Sequence, residues 1–155
     1  MTLGPAAAVR LSVRCHTLWR ASTATAPEIS LVIPDEIAEH HNIVQVPITV
    51  HFGEEVLETG NDINDAGVFA RVDKESKLPT TSAPSTGKFV EAYQAAFDQG
   101  AQAVMCFCVS SEISATYQAA VAAKDLLPER DITVVDSRSL SMGQGYMVLA
   151  AAKAV

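Results

Sequence analysis

The sequence predicts an α/β fold: a mostly parallel sheet with helices on both faces. Three observations lead there. The runs Val104-Met105-Cys106-Phe107-Cys108-Val109 and Ile132-Thr133-Val134-Val135 are short and largely apolar, the pattern of strands covered on both faces. The segments that follow them read as helices, so strands and helices alternate and the strands must be joined by crossovers. Aromatic residues are few, at 6%, while Ala and aliphatic side chains dominate the apolar share, which suits packed helices and sheet.

Taken in order, residues 1–30 show no sustained period and are expected to form an atypical, poorly ordered segment, with the α/β domain over 31–155. Pro34 precedes an acid-led helix over 35–40, its first-turn acids matching the helix dipole. Residues 43–50 read as a strand, with Pro47 placing it at an edge or at a break in pairing. Residues 51–57 turn into a second short extended piece. Asn64 or Asp65 caps a helix to about Glu75. Ser85 or Thr86 caps the next, in which Phe89, Val90, Tyr93, Ala96 and Phe97 share a face, and Gly100 stops it. Strand 103–109 leads to a helix over 111–126, capped by Ser111, with Ile113, Tyr117, Ala120 and Val121 inward and Pro128 beyond its end. Strand 132–135 leads to a last helix from Gly143 or Gly145 onward.

At 155 residues the chain fits one domain with a real core. Its net charge of −7 is uneven: residues 1–30 hold Arg10, Arg14 and Arg20 against Glu28, leaving 8 basic and 17 acidic residues in the rest. An acidic domain without a basic stripe argues against nucleic acid as a partner. No apolar run reaches the length of a membrane span. Cys15, Cys106 and Cys108 have no disulfide or zinc spacing, and Cys106 and Cys108 fall on one face of a strand. They read as buried, reduced thiols of a cytoplasmic protein. His40, His41 and His51 read as surface residues, so no metal and no cofactor are expected. Asp136-Ser137-Arg138 lacks a nucleophile elbow and a neighbouring His, so no catalytic residue is assigned.

The chemistry lies in three hydroxyl-rich segments: Thr80-Thr81-Ser82-Ala83-Pro84-Ser85, Ser110-Ser111-Glu112-Ile113-Ser114-Ala115-Thr116, and Asp136-Ser137-Arg138-Ser139-Leu140-Ser141-Met142-Gly143. Each precedes a helix, and the last two also follow a strand. The first has no strand of its own in this reading and simply opens a helix. Ligands of parallel α/β sheets bind beyond the carboxyl ends of the strands. Hydroxyls and free N–H groups at helix starts hold anions rather than break bonds, which points to a binder and not an enzyme.

These segments resemble signatures of the DegV family of bacterial fatty-acid-binding proteins. Residues 81–87 are similar to Thr-Ser-Gln-Pro-Ser-Pro-Gly, with Ala83 for Gln and Thr86 for Pro. Residues 110–118 are similar to Ser-Ser-Gly-Leu-Ser-Gly-Thr-Tyr-Gln, with Glu112 and Ala115 for Gly. Residues 136–143 are similar to Asp-Ser-Lys-Ser-Val-Ser-Met-Gly. The resemblance covers about 34–155. It implies the first domain of a two-domain protein, carrying the carboxylate end of the site. It assigns Thr81, Ser82 and Ser114 to the head group of a long-chain fatty acid, with Ser85 and Thr116 in support. It also implies presentation of the acyl group to a separate fatty acid kinase. Glu112 would repel a carboxylate unless it faces away.

The family's opening Asp-Ser-Thr is missing, and Ala21-Ser22-Thr23-Ala24 is its nearest match. A frameshift or mis-called start within residues 1–30 would account for this, and the chain stops near where the second domain begins. The competing readings are a truncated, non-functional product and a subunit of a dihydroxyacetone-kinase-like enzyme. Acyl length and oligomeric state are not encoded in these motifs.

Overall fold

The computed structural model describes residues 33–154, so the expectations for residues 1–30 lie outside the described residues. In chain order the elements are α1 (Asp35–His40), β1 (Thr49–Phe52), β2 (Glu55–Glu58), α2 (Asp65–Glu75), β3 (Thr80–Ser82), α3 (Thr86–Asp98), β4 (Ala103–Cys108), α4 (Thr116–Asp125), β5 (Asp131–Asp136) and α5 (Met142–Lys153). The α/β class is as expected. Among the described strands only β4 and β5 pair in parallel, however, and β2-β1-β3 forms a separate antiparallel sheet.

β4 and β5 run in register from Ala103 opposite Asp131 to Cys108 opposite Asp136. Strand side chains alternate, so Val104, Cys106 and Cys108 share a face with Ile132 and Val134. That face packs on α3 and α4 through Phe89, Tyr93, Ala96, Phe97, Ala120 and Ala123. The Tyr93 hydroxyl donates to the Ala120 carbonyl at 3.3 Å and ties the two helices. Met105, Phe107 and Val135 form the other face, against Ala38 of α1 and Val148 and Leu149 of α5. The pair is therefore covered on both sides, which explains why these strands read as unbroken apolar runs.

Cys106 and Cys108 are buried free thiols with their sulfurs 3.8 Å apart. Burial and the neighbouring Cys106 sulfur push the Tyr93 hydroxyl well above the usual phenol range, burial being the larger effect.

Two segments differ from the sequence reading. Only Thr49 and Val50 of the run 43–50 pair as strand. Ile43 packs with the α1–α5 face and Val46 with the α3–α4 face, so the segment crosses from one layer to the other. Pro47 has no N–H to offer a ladder, and burial without pairing produces the same apolar pattern. Thr80-Thr81-Ser82, expected only to lead into a helix, is a strand antiparallel to β1. Three polar residues on a sheet edge carry no apolar alternation to announce them.

The β1–β2 hairpin turns at Gly53 and Glu54, with Gly53 at φ +65° in the first turn position, where a side chain would be strained. Val50, Phe52 and Leu57 pack with Val68 and Val72 of α2 as a satellite core. Asn64 caps α2 by accepting from the Gly67 N–H at 2.9 Å. Ile48 packs with Val109 and Leu140, and this small cluster joins the antiparallel sheet to the carboxyl ends of β4 and β5.

Candidate functional site

At those carboxyl ends two loops are bound to each other. Asp136, the last residue of β5, accepts from the Ser111 N–H at 3.1 Å, the Ser111 hydroxyl at 2.6 Å and the Arg138 N–H at 3.0 Å. Those bonds, led by the Ser111 hydroxyl, hold its carboxyl below the usual range. The Ser110 N–H donates to the Ser139 carbonyl at 3.0 Å, and the Ser137 N–H to the Cys108 carbonyl at 3.0 Å.

This bonding has a price in backbone conformation: Arg138 and Ser141 sit at φ 47° and 53°, in the left-handed region, at a cost of order 1–3 kcal/mol each. Gly143 completes the turn, because a Cβ there would collide with the Ser139 hydroxyl. Gln144, fully buried in the first turn of α5, donates to the Phe107 carbonyl at 3.0 Å and anchors the helix start to β4. The sequence reading passed over both Gln144 and the role of Asp136. An acid ending a strand beside serines is the available signal for Asp136.

The Asp136 bonds give a pH prediction. The folded pKa lies below the unfolded carboxylate value of about 3.9, so the stabilisation is complete above that value and is lost as pH falls through the lower, folded pKa. Asp136→Asn is expected to lower the melting temperature at pH 7 and to narrow the gap to wild type near pH 3. Melts across that range check it, and a gap that widens toward acid would contradict it.

The same bonds correct the expectation for the helix over 111–126. Ser111 is spent on Asp136 and caps nothing, residues 110–115 form a loop, and α4 starts at Thr116 with Ala115 at its N-cap. Ile113, expected inward, is 51% exposed.

Ser114 Oγ and Thr116 Oγ1 lie 2.8 Å apart, and the Thr116 N–H donates to Ser114 Oγ at 3.3 Å. Thr116 is fully buried, so it orients Ser114, which is partly exposed. Ser85 is a cap: it accepts from the Lys88 N–H at 3.3 Å and opens α3. Thr81 and Ser82 do not share a face. Thr81 lies opposite buried Val50, and Ser82 lies opposite Thr49 on the other side of the sheet. The link from β3 to the two loops runs through Thr49 and its neighbour Ile48, which packs on Val109 and Leu140. The loops therefore bring Ser114 and Thr116 together, while the two hydroxyls of β3 diverge.

Helices α4 and α5, which start at the carboxyl ends of β4 and β5, have no side-chain cap, whereas α2 and α3 are capped by Asn64 and Ser85. Apart from the Thr116 N–H, which Ser114 Oγ accepts, N-terminal N–H groups without a side-chain acceptor suit an external anion. Glu112 is exposed, and its N–H donates to Ser110 Oγ at 3.3 Å.

One contact escaped the sequence reading: His51 Nε2 is 2.9 Å from Ser82 Oγ. Strand pairing across 31 residues brings a His to a hydroxyl segment that seemed to have none. Among the described residues Ser82 is the hydrogen-bond partner of His51, and no carboxylate orients the imidazole as a nucleophile's base requires. The described residues contain no cluster of three metal-ligating side chains and no helix long and apolar enough to cross a membrane.

A doubly covered β4–β5 pair with helix starts and hydroxyls at its carboxyl ends defines an α/β module with a hydroxyl-lined loop edge. The family model described as "uncharacterised protein, DegV family" matches residues 30–155, and the chain belongs to the DegV family. It is 36% identical over 120 residues to a DegV domain-containing protein of Clostridium perfringens, covering 77% of this chain and 43% of that one. It is 31% identical over 132 residues to Protein DegV of Bacillus subtilis, covering 85% and 47%. Among solved structures, it is similar to DegV, a fatty acid binding protein from Bacillus subtilis, with 31% identity, a TM-score of 0.75 and coverage of 88% and 46%. It is also similar to a stearic acid-binding protein from Eubacterium ventriosum, with 27% identity, a TM-score of 0.76 and coverage of 86% and 46%. The chain thus spans less than half the length of the relatives it matches.

Proposed function

We propose that this chain binds a long-chain fatty acid by its carboxylate and acts as a binder, not a catalyst. The observation that carries the reading is the Ser114–Thr116 pair at the start of α4, a helix without a side-chain cap. Ser114 donates to the carboxylate while buried Thr116 fixes its rotamer, and the N–H groups of α4 add to the cradle. Neutral donors hold a carboxylate without burying a counter-charge, and each charge-assisted bond contributes about 1.5–3 kcal/mol. Ile113, half-exposed beside Ser114, offers apolar surface to the first methylenes. Similarity to proteins described as fatty-acid-binding supports the same ligand.

Thr81 or Ser82, one of the two according to the face the ligand meets, adds a contact from β3, and Ser85 supports it by starting α3. The free thiols of Cys106 and Cys108 suit a cytoplasmic setting. Presentation of the bound acyl group to a separate kinase is the finer form of the proposal.

Solvent extraction of freshly purified, folded protein followed by mass spectrometry is expected to release fatty acid. No extracted lipid together with no heat of binding on titration with palmitate would overturn the reading. A fatty acid kinase that phosphorylates free and protein-bound acyl groups equally would overturn the kinase step alone.

A further inference from the structure

The His51–Ser82 hydrogen bond has no part in strand pairing or capping. His51 lies opposite Thr80 and Ser82 opposite Thr49, so the two side chains are diagonal neighbours on one face of β2-β1-β3. We propose that His51 is a positioning residue for the head-group site, setting the direction of the Ser82 hydroxyl and with it the affinity for a carboxylate. This deepens the fatty-acid reading and rests on it, with Ser82 as the β3 contact.

The argument is one of proton count. A serine hydroxyl has a single proton. When Nε2 is unprotonated it takes that proton, and Ser82 presents only lone pairs, which repel a carboxylate. When Nε2 carries a proton it donates to Ser82 Oγ, and the hydroxyl proton is free to bond the ligand. A bound carboxylate therefore favours the form of His51 that carries its proton on Nε2, which neutral imidazole supplies as one of its two tautomers.

The other charged groups beside this face leave one net negative charge. Glu58 of β2, opposite Thr49, pairs with Lys88 of α3 at 3.2 Å, and Asp62 accepts from the Glu58 N–H at 2.9 Å. β3 supplies only neutral Thr80 and Ser82. Arg71 of α2 is held away, paired with Glu55 and Glu75 and stacked over Phe52, whose side chain lies on the opposite face of β1.

The test is calorimetric titration of dodecanoate into wild type, His51→Gln, His51→Phe, Ser82→Ala and the double variant of His51→Phe with Ser82→Ala, each checked for folding by thermal melts. His51→Gln, whose amide N–H takes the place of Nε2–H, should retain affinity. His51→Phe, which offers no donor, should bind about fivefold more weakly than wild type. Adding His51→Phe to Ser82→Ala should change nothing further. A loss in His51→Gln as large as in His51→Phe, or full affinity in His51→Phe, would overturn the role of His51. Wild type that binds no dodecanoate and no palmitate would instead overturn the fatty-acid reading.

Discussion

Replacing Ser114 by alanine is expected to weaken fatty-acid binding about ten- to hundredfold while leaving the melting temperature within a few degrees of wild type. The range follows from losing one charge-assisted hydrogen bond, about 1.5–3 kcal/mol, at about 1.4 kcal/mol per tenfold. Stability changes little because Ser114 is partly exposed and precedes α4. Thr116→Val separates positioning from contact. It keeps the buried shape but removes the Oγ1 that lies 2.8 Å from Ser114 Oγ, so affinity should fall by less than in Ser114→Ala while stability falls by more. Titration with palmitate and thermal melts of both variants check this. Wild-type affinity in Ser114→Ala would remove the hydroxyl from the site.

Phe89→Ala is expected to destabilise the domain by about 3–5 kcal/mol, the range for truncating a buried aromatic side chain. Phe89 is fully buried where α3 meets the β4–β5 face, with its ring centroid 6.1 Å from that of Tyr93. The loss removes apolar burial and leaves a cavity beneath Tyr93, whose hydroxyl ties α3 to α4. Against a typical domain stability of 5–15 kcal/mol, this is enough to unfold much of the population. Phe69→Ala is the control: Phe69 is 60% exposed on α2 and should cost far less. Urea denaturation followed by circular dichroism reads both midpoints, and equal shifts would place the core elsewhere.

The legible parts of the fold are those whose local chemistry agrees with their packing. Asn64 and Ser85 sit where a helix needs a side-chain acceptor, and both helices begin one residue later. Phe89, Tyr93, Ala96 and Phe97 recur at helical spacing, and all four are buried. β4 and β5 are short apolar runs because both their faces are covered. The illegible parts are those in which a long-range partner overrides local preference. Ser111 looks like a cap, but Asp136, 25 residues away, takes its hydroxyl, and α4 starts five residues later.

For the site, the hydroxyl segments and their order were enough to indicate the family. Local pattern alone predicts that β4 and β5 are buried strands, that helices follow them, and that Ser114 and Thr116 belong to the hydroxyl segment after β4. Each of these depends on residues within a turn or two of one another, and side-chain periodicity records such relations directly. Long-range pairing is what makes Thr80-Thr81-Ser82 a strand, turns Thr81 and Ser82 to opposite faces, and brings His51 to Ser82. Those outcomes depend on the register of β1 against β3. A shift of one residue there would exchange the faces, and register is set by the packing of Val50 and Phe52 on α2.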